Sequence, residues 1–420
     1  MNQFCVEGNK KLNGNVIISG SKNAALPILF MSILTNHKVK ISNVPKLTDI
    51  DLAIQLLKYI GAEIKHQKCI LIDPKPIKLI CPPQNLISKI RGSIWMLAPL
   101  LTRFNQAKIF FPGGCQIGKR PIDLHLKGLK KLGATIRIKK NSIQAFITKR
   151  MKGTHILMEK ISVGATVTII SAAVLAEGLT VIENAAREPE IVDIAKFLNT
   201  LGANITGAGN KKIFIKGVSK LNGGKHKVIP DRIETGTFLV AAAISKGRVI
   251  CKKTEPKHLK QVLKKLSDSG AIIKFGKNWI SLDMRGKRPH SVDISTAAYP
   301  GFPTDLLAQF TLLNSISKGK SKITETIFEN RFMHVPQLIK MGANITTTQE
   351  KNIICCGVPK LFSKNVFSTD LRTSATLILA GCIAEGITQV HKIFHLFRGY
   401  EYFSKKLNLI GANIKRNNKK

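Results

Sequence analysis

LLKYIGAEI (residues 56–64) runs from an amphipathic segment into Gly-Ala and out again into a β-prone stretch. Glycine just past an amphipathic run is a helix C-terminal signal, because it takes the left-handed backbone conformation at little steric cost, and the isoleucine beyond reads as the start of a strand. The pattern recurs as GLKKLGATI (128–136), FLNTLGANI (197–205), KKLSDSGAII (264–273), LIKMGANI (338–345) and LNLIGANI (407–414). Its glycines stand at 61, 133, 202, 270, 342 and 411, at intervals of 72, 69, 68, 72 and 69 residues. A fixed period marks a repeat architecture. Six units of about 70 residues fill the chain.

Each unit also holds an earlier run that is almost wholly apolar: SKNAALPILFMSIL, RGSIWMLAPLLTR, SVGATVTIISAAVLAEG, RIETGTFLVAAAISKG, TDLLAQFTLLNSISKG and LRTSATLILAGCIAEG. A helix apolar on every face is a buried one. A short β-prone segment follows each, so the unit reads as strand, buried helix, strand, amphipathic helix, strands. The expected class is α/β, with three units surrounding three buried helices in each of two similar lobes.

Polar groups recur where these helices begin. Lys22, Arg91, Ser162, Arg232, Asp305 and Arg372 lie 39, 42, 40, 38, 37 and 39 residues before the glycine of their own unit. The amphipathic helices are expected to begin near Asp49, Arg120, Arg187, Glu255, Arg331 and Arg398, 12, 13, 15, 15, 11 and 13 residues before it. A helix N-terminus presents unpaired N–H groups and about half a positive charge, so it attracts anions before any side chain helps. Lys or Arg added there makes a phosphate site, and two such lobes facing each other would enclose a cleft for small polyanions. The competing reading is that these arginines pair with Glu or Asp of neighbouring units.

The net charge of +41 on 420 residues invites a nucleic-acid partner. Its distribution argues otherwise: 52 Lys against 14 Arg, spread along the chain among abundant Ile and Asn, fit drift toward A/T-rich codons better than a basic patch. The longest apolar runs fall short of the roughly 18–20 residues that cross a bilayer, and MNQFCVEGNKKLNG lacks a signal-peptide core. A cytoplasmic protein without a membrane segment is expected. The cysteines at 5, 69, 81, 115, 251, 355, 356 and 382 form no CxxC pair and have no His partners at zinc-site spacing. Reduced thiols and no metal site are expected.

Ten motifs then occur in order from end to end: SGSKNAALPI (19–28), RGSIW (91–95), PGGCQIGKRPIDLH (112–125), KISVGATVT (160–168), ENAAREPEIVD (183–193), PDRIETGTFLVAAAIS (230–245), PTDLLAQF (303–310), ITETIFENRFMHV (323–335), STDLR (368–372) and FRGYE (397–401). Together they resemble the enolpyruvyl-transferase family, in its branch that acts on UDP-N-acetylglucosamine. The resemblance implies a two-lobed inside-out α/β barrel with three repeats per lobe. Lobe one is then 22–229, carrying the Cys115 loop; lobe two is 1–21 plus 230–420, and the active site lies in the interdomain cleft. It also implies the reaction, transfer of the enolpyruvyl group from phosphoenolpyruvate to the 3-hydroxyl of the UDP-sugar with release of phosphate, in peptidoglycan synthesis. No cofactor or metal is implied, and a monomer is expected.

By the same resemblance Cys115 donates a proton to the methylene carbon, forms a covalent adduct with phosphoenolpyruvate, and is the thiol that the epoxide fosfomycin alkylates. Its glycine-rich surroundings supply a loop able to close over ligand. Lys22, Asn23, Arg120, Arg331, Arg372 and Arg398 match the phosphoenolpyruvate site. Asn23, Arg91, Arg120, Pro121, Ile122, Asp123, Leu124, Lys160, Ile161, Ser162, Val163, Asp305 and Ile327 match positions that hold the UDP-sugar. Asp305 is also the implied acceptor of the sugar hydroxyl proton. Its residue type admits a plainer role as a helix N-cap, with Thr304 able to cap in its place. His125 and Trp95 read as structural. A one-residue insertion relative to the family is expected between Arg331 and Asp370, in a segment such as TTTQEKN (346–352). Two rivals stand beside this reading: the sister synthase acting on shikimate 3-phosphate, and a basic scaffold without catalysis.

Overall fold

A computed structural model describes residues 2–111, 113 and 122–418. The amphipathic helices are Thr48–Tyr59, Asp123–Lys131, Pro189–Thr200, Lys260–Asp268, Val335–Lys340 and Phe403–Leu409. All six end alike. The repeat glycines take φ of 112°, 103°, 95°, 95°, 96° and 105°. In the first repeat Gly61 N–H donates to Lys58 O and Ala62 N–H to Leu57 O; the same two bonds recur at the other five Gly-Ala pairs. This is the Schellman arrangement, which satisfies carbonyls the helix end leaves without partners.

The apolar runs fold as helices Lys22–Met31, Leu97–Phe104, Val163–Ala173, Arg232–Ile244, Leu307–Ile316 and Leu371–Ile383. Every residue of Leu307–Ile316 is buried. Short 3-10 turns extend three of them: Ser32–Leu34 after the first, Arg91–Met96 before the second and Thr304–Leu306 before the fifth. The chain divides into two compact units, residues 20–113 with 122–229, and residues 2–19 with 230–418. In the second unit its three buried helices pack on one another. Each unit has its own hydrophobic core.

One sheet forms per repeat. In the fourth repeat, Arg248–Lys252 pairs parallel with Asn13–Ile17 and antiparallel with Trp279–Asp283, which pairs in turn with Ile272–Gly276. The third and fifth repeats follow the same order. The first borrows its parallel strand, Gly224–Lys227, from the far end of its unit. In the sixth, the N-terminal strand Asn2–Glu7 lies antiparallel between Ile387–His391 and Asn413–Asn418. The second repeat has three strands among the described residues. In the fifth, pairing shifts between Thr347 and Gln349, leaving Thr348 as a bulge beside the 349–352 turn.

Arginine forks close three core-helix C-termini. Arg103 donates to Ile33 O and Pro74 O at 3.0 and 2.9 Å. Arg150 reaches Leu175, Ala176 and Val218 carbonyls at 2.8, 3.2 and 2.6 Å. Arg288 reaches those of Ile316, Ser317 and Val358 at 2.7, 2.9 and 2.7 Å. No helix among the described residues is long and apolar enough to cross a membrane.

A Cβ at Gly133 would meet no atom within 4 Å, so substitution there tests backbone conformation alone. Gly133→Ala is expected to lower stability by about 1–2 kcal/mol. A urea titration followed by circular dichroism checks this: an unchanged midpoint would mean that positive φ is not what these positions require.

Candidate active site

In the second unit, Asp305 lies in the Thr304–Leu306 turn that leads into the Leu307–Ile316 helix. Among the described residues, the partners of its side chain are guanidiniums and no helix N–H. Each carboxylate oxygen instead takes one guanidinium: Arg331 donates to Oδ1 at 2.6 Å and Arg372 to Oδ2 at 2.8 Å. Arg331 also donates to Thr304 O from Nε and NH2, at 3.3 and 3.2 Å. Thr304 does not cap either; its hydroxyl donates to Glu325 Oε2 at 2.7 Å. Both arginines are nearly buried, whereas the Asp305 side chain keeps 29% of its surface exposed. Burial disfavours the Arg372 charge, yet Asp305 and the Tyr400 phenol more than offset it, and its pKa lies above the ordinary arginine value. Removing one partner from such a cluster strands charge in the interior.

Two caps organise this region. Asp370 accepts from the backbone N–H groups of Arg372 and Thr373 at 2.8 and 3.1 Å and from the Thr373 hydroxyl at 2.5 Å, fixing the start of the Leu371–Ile383 helix. Burial pushes its pKa up, but these bonds and the Arg331 charge hold it below the usual aspartate value. Glu325 Oε1 accepts from Thr296 Oγ1 at 3.0 Å and from the N–H groups of Ile327 and Phe328 at 2.6 and 3.0 Å. One buried carboxylate thereby ties the exposed Ile327 segment to the Asp305 turn.

The expectation that Arg331 and Arg398 begin amphipathic helices is corrected. Arg331 precedes the Val335–Lys340 helix by four residues, drawn to Thr304 O and Asp305. Arg398, half-buried, closes the 3-10 turn Ile393–Arg398, and the next helix begins only at Phe403. Gly399 between them packs so near Leu371 that a Cβ would lie 2.4 Å from its Cδ2.

In the first unit, Lys22 is the first residue of its helix, with Asn23 next to it. Lys22 Nζ lies 3.1 Å from Asp49 Oδ2, in the first turn of Thr48–Tyr59. Arg91 opens the Arg91–Met96 turn. Ser162 caps Val163–Ala173, accepting from Ala165 N–H at 3.3 Å, with Lys160 and Ile161 exposed just ahead of it. Ile122, Asp123 and Leu124 form the start of the next helix. Trp95 Nε1 donates to Gly164 O at 3.2 Å, and His125 Nδ1 lies 2.7 Å from Thr168 Oγ1. Burial, aided by the Arg91 charge, pulls the His125 pKa down to about 4. Cys115, Arg120 and Pro121 lie outside the described residues.

Charge at helix starts led the sequence reading to Asp305, Arg331 and Arg372. It missed Glu325, Thr237, Gln309 and Tyr400, whose partners are far away in the chain. All four lie in the quoted motifs, Thr237 in PDRIETGTFLVAAAIS, Gln309 in PTDLLAQF, Glu325 in ITETIFENRFMHV and Tyr400 in FRGYE, with nothing local to single them out.

Comparison with known proteins places these residues in context. Residues 6–407 match the family model described as EPSP synthase (3-phosphoshikimate 1-carboxyvinyltransferase). The chain is 68% identical over 415 residues to a protein named UDP-N-acetylglucosamine 1-carboxyvinyltransferase from Buchnera aphidicola subsp. Acyrthosiphon pisum (strain Tuc7), covering 99% of this chain and 100% of that one. It is 56% identical over 416 residues, 99% of each chain, to one of the same name from Escherichia coli O157:H7. Among solved structures, the enolpyruvyl transferase NikO from Streptomyces tendae superimposes with a TM-score of 0.89 at 22% identity, covering 99% and 98% of the two chains. EPSP synthase from Acinetobacter baumannii does so at 0.78 and 17%, over the whole of both. At these identities the structural likeness speaks for the fold.

His125 is neutral in the folded chain down to pH 4 or so, but takes a proton near pH 6.5 once unfolded. Its stability contribution is therefore complete above pH 6.5 and is lost as pH falls toward 4. His334, also pulled down to about 4 by burial, adds to the same slope. His125→Asn is expected to remove up to about 3 kcal/mol of this acid loss. Melting curves across pH 4–7 test it, and parallel profiles for the two proteins would place the acid sensitivity elsewhere.

Proposed function

The chain belongs to the EPSP synthase family, and on that premise we propose that it transfers the enolpyruvyl group of phosphoenolpyruvate to the 3-hydroxyl of UDP-N-acetylglucosamine, releasing phosphate. The observation that carries this reading is the Asp305 carboxylate held between the guanidiniums of Arg331 and Arg372. It sets a partly exposed proton acceptor beside fixed positive charge, and the reaction needs both. The names of the full-length relatives supply the acceptor. The product enters peptidoglycan synthesis, and free cysteines suit a cytoplasmic setting.

The reaction is an addition followed by an elimination. The sugar oxygen attacks C2 of phosphoenolpyruvate and its proton passes to Asp305, while C3 takes a proton from the Cys115 thiol. In the second stage C3 gives up a proton to the thiolate left on Cys115, the C2–O bond to phosphate breaks with its electron pair leaving on phosphate, and the enolpyruvyl ether remains. Arg331 and Arg372 take the substrate carboxylate; Lys22, Arg120 and Arg398 take the phosphate, with Asn23 beside Lys22. Guanidinium forks suit bidentate anion contacts, and fixed cations stabilise charge that develops in the transition state.

Arg331 and Arg372 each donate to one carboxylate oxygen of Asp305. An incoming carboxylate competes for the same forks. Phosphoenolpyruvate binding thus frees lone pairs on Asp305 for the sugar hydroxyl as the substrate arrives. The UDP-sugar rests on Arg91, Arg120, the 121–124 and 160–163 segments, Asn23 and Ile327. The protein works as a monomer.

Mixing the protein with phosphoenolpyruvate and UDP-N-acetylglucosamine is expected to release phosphate. Shikimate 3-phosphate in place of the UDP-sugar should release none; turnover with it alone would select the sister reaction. Cys115→Ser should abolish or greatly reduce the rate, and Asp305→Asn should lower kcat by about 10²- to 10⁴-fold. Wild-type rates in both variants would remove these acid and base roles. Fosfomycin is expected to add its mass at Cys115 and not at Cys355 or Cys382, whose thiols burial pushes up to about 12. A mass spectrum showing the adduct on another cysteine would count against an activated Cys115.

A further inference from the structure

Tyr400, in FRGYE, is 2% exposed, and its hydroxyl sits where the three core helices of the second unit converge. Thr237 comes from Arg232–Ile244, Gln309 from Leu307–Ile316 and Arg372 from Leu371–Ile383. Arg372 NH1 lies 3.0 Å from the Tyr400 hydroxyl, Gln309 Nε2 3.1 Å and Thr237 Oγ1 2.9 Å. Gln309 Nε2 is also 3.0 Å from Thr237 Oγ1, whose own proton goes to Ile233 O at 2.8 Å.

With the Gln309 amide nitrogen facing the two hydroxyls, donors and acceptors admit one assignment. Arginine and the amide nitrogen only donate, so the Tyr400 oxygen accepts from both. Thr237 spends its proton on Ile233 O, so the phenol donates to Thr237. Burial raises the phenol pKa despite the Arg372 charge, which keeps that proton in place. An apolar trio would fill this core without burying four polar groups. Gln309 Oε1 even goes without a partner among the described residues, while Nε2 serves both hydroxyls. What the arrangement fixes is a plane: with NH1 on Tyr400 and NH2 on Asp305 Oδ2, the Arg372 guanidinium cannot turn about its own axis.

We propose that Tyr400 is a positioning residue for the transfer reaction, its hydroxyl fixing the Arg372 fork that faces Asp305 and the phosphoenolpyruvate carboxylate. The proposal rests on the enolpyruvyl-transfer reading. Tyr400→Phe isolates it, because the ring beside the guanidinium, 5.4 Å from centroid to Cζ, is retained while the hydroxyl is lost.

Steady-state kinetics of Tyr400→Phe should show kcat/KM for phosphoenolpyruvate down about 10- to 100-fold, the range for losing a hydrogen bond to a charged group, with KM for the UDP-sugar unchanged. In an Arg372→Lys background, which has no fork to orient, Tyr400→Phe should cost little more. Thr237→Val, which removes the acceptor of the phenolic proton, should show the same substrate split in milder form and serves if Tyr400→Phe does not fold. A merely structural Tyr400 would lower the melting temperature and the active fraction while sparing the split between substrates. That result, or full additivity with Arg372→Lys, would overturn the proposal. Wild-type protein that releases no phosphate from the two substrates would instead sink the transfer reading itself.

Discussion

A helix that is apolar on every face must be covered on every face. Six such helices in one chain leave little freedom: each needs its own strands and an amphipathic helix around it, and each such set is one repeat. The Schellman ending does the rest. A glycine at positive φ stops the amphipathic helix and satisfies its last carbonyls, and the following alanine starts the return strand. Repeating that joint six times converts one local rule into two cores.

Burial of those helices also decides where chemistry can sit. Their sides are consumed by packing, which leaves the ends. The C-termini present carbonyls and are closed by Arg103, Arg150 and Arg288. The N-termini present N–H groups and carry Lys22, Arg91, Ser162, Arg232 and Arg372, with Asp305 in the turn ahead of its helix. The polarity of the backbone therefore sorts the two ends: carbonyls met by arginine forks at one, N–H groups and their partial positive charge at the other.

The repeat period, the buried runs and the charged helix starts were legible in the sequence because each is a local pattern. Long-range features were not. The borrowed strands Asn2–Glu7 and Gly224–Lys227 have no local signature of their destination. The ends of the later amphipathic helices were legible, but the starts after Arg331 and Arg398 were not, since Arg331 is drawn to Thr304 O and Asp305 and Arg398 is taken up in a 3-10 turn. Glycines 8, 217 and 357 repeat a close approach to the last carbonyls of core helices, with Cβ positions 1.6, 1.8 and 1.7 Å from Ala384, Ala176 and Ser317 oxygens. All three open a G-x-x-K-L run, GNKKL (8–12), GVSKL (217–221) and GVPKL (357–361), which marks the repeat but carries no sign of the carbonyl it docks on. In the candidate site, charge pointed to the ion-paired trio, while Glu325 and Tyr400 matter through geometry that spacing cannot express.

The balance of Lys over Arg now has a structural counterpart. On a solvated surface a lysine serves as well as an arginine, and the excess of positive charge is tolerated there by hydration. A planar fork with several donors is another matter, because one ammonium cannot reach two or three fixed acceptors in a plane. Of 14 arginines in the chain, Arg103, Arg150 and Arg288 each bind at least two carbonyls, and Arg331 and Arg372 each bind Asp305 and one further oxygen-bearing residue. Composition alone suggested a basic surface without a purpose. Placement shows where arginine is required: at core-helix ends and around one partly exposed carboxylate, where direction counts as much as charge.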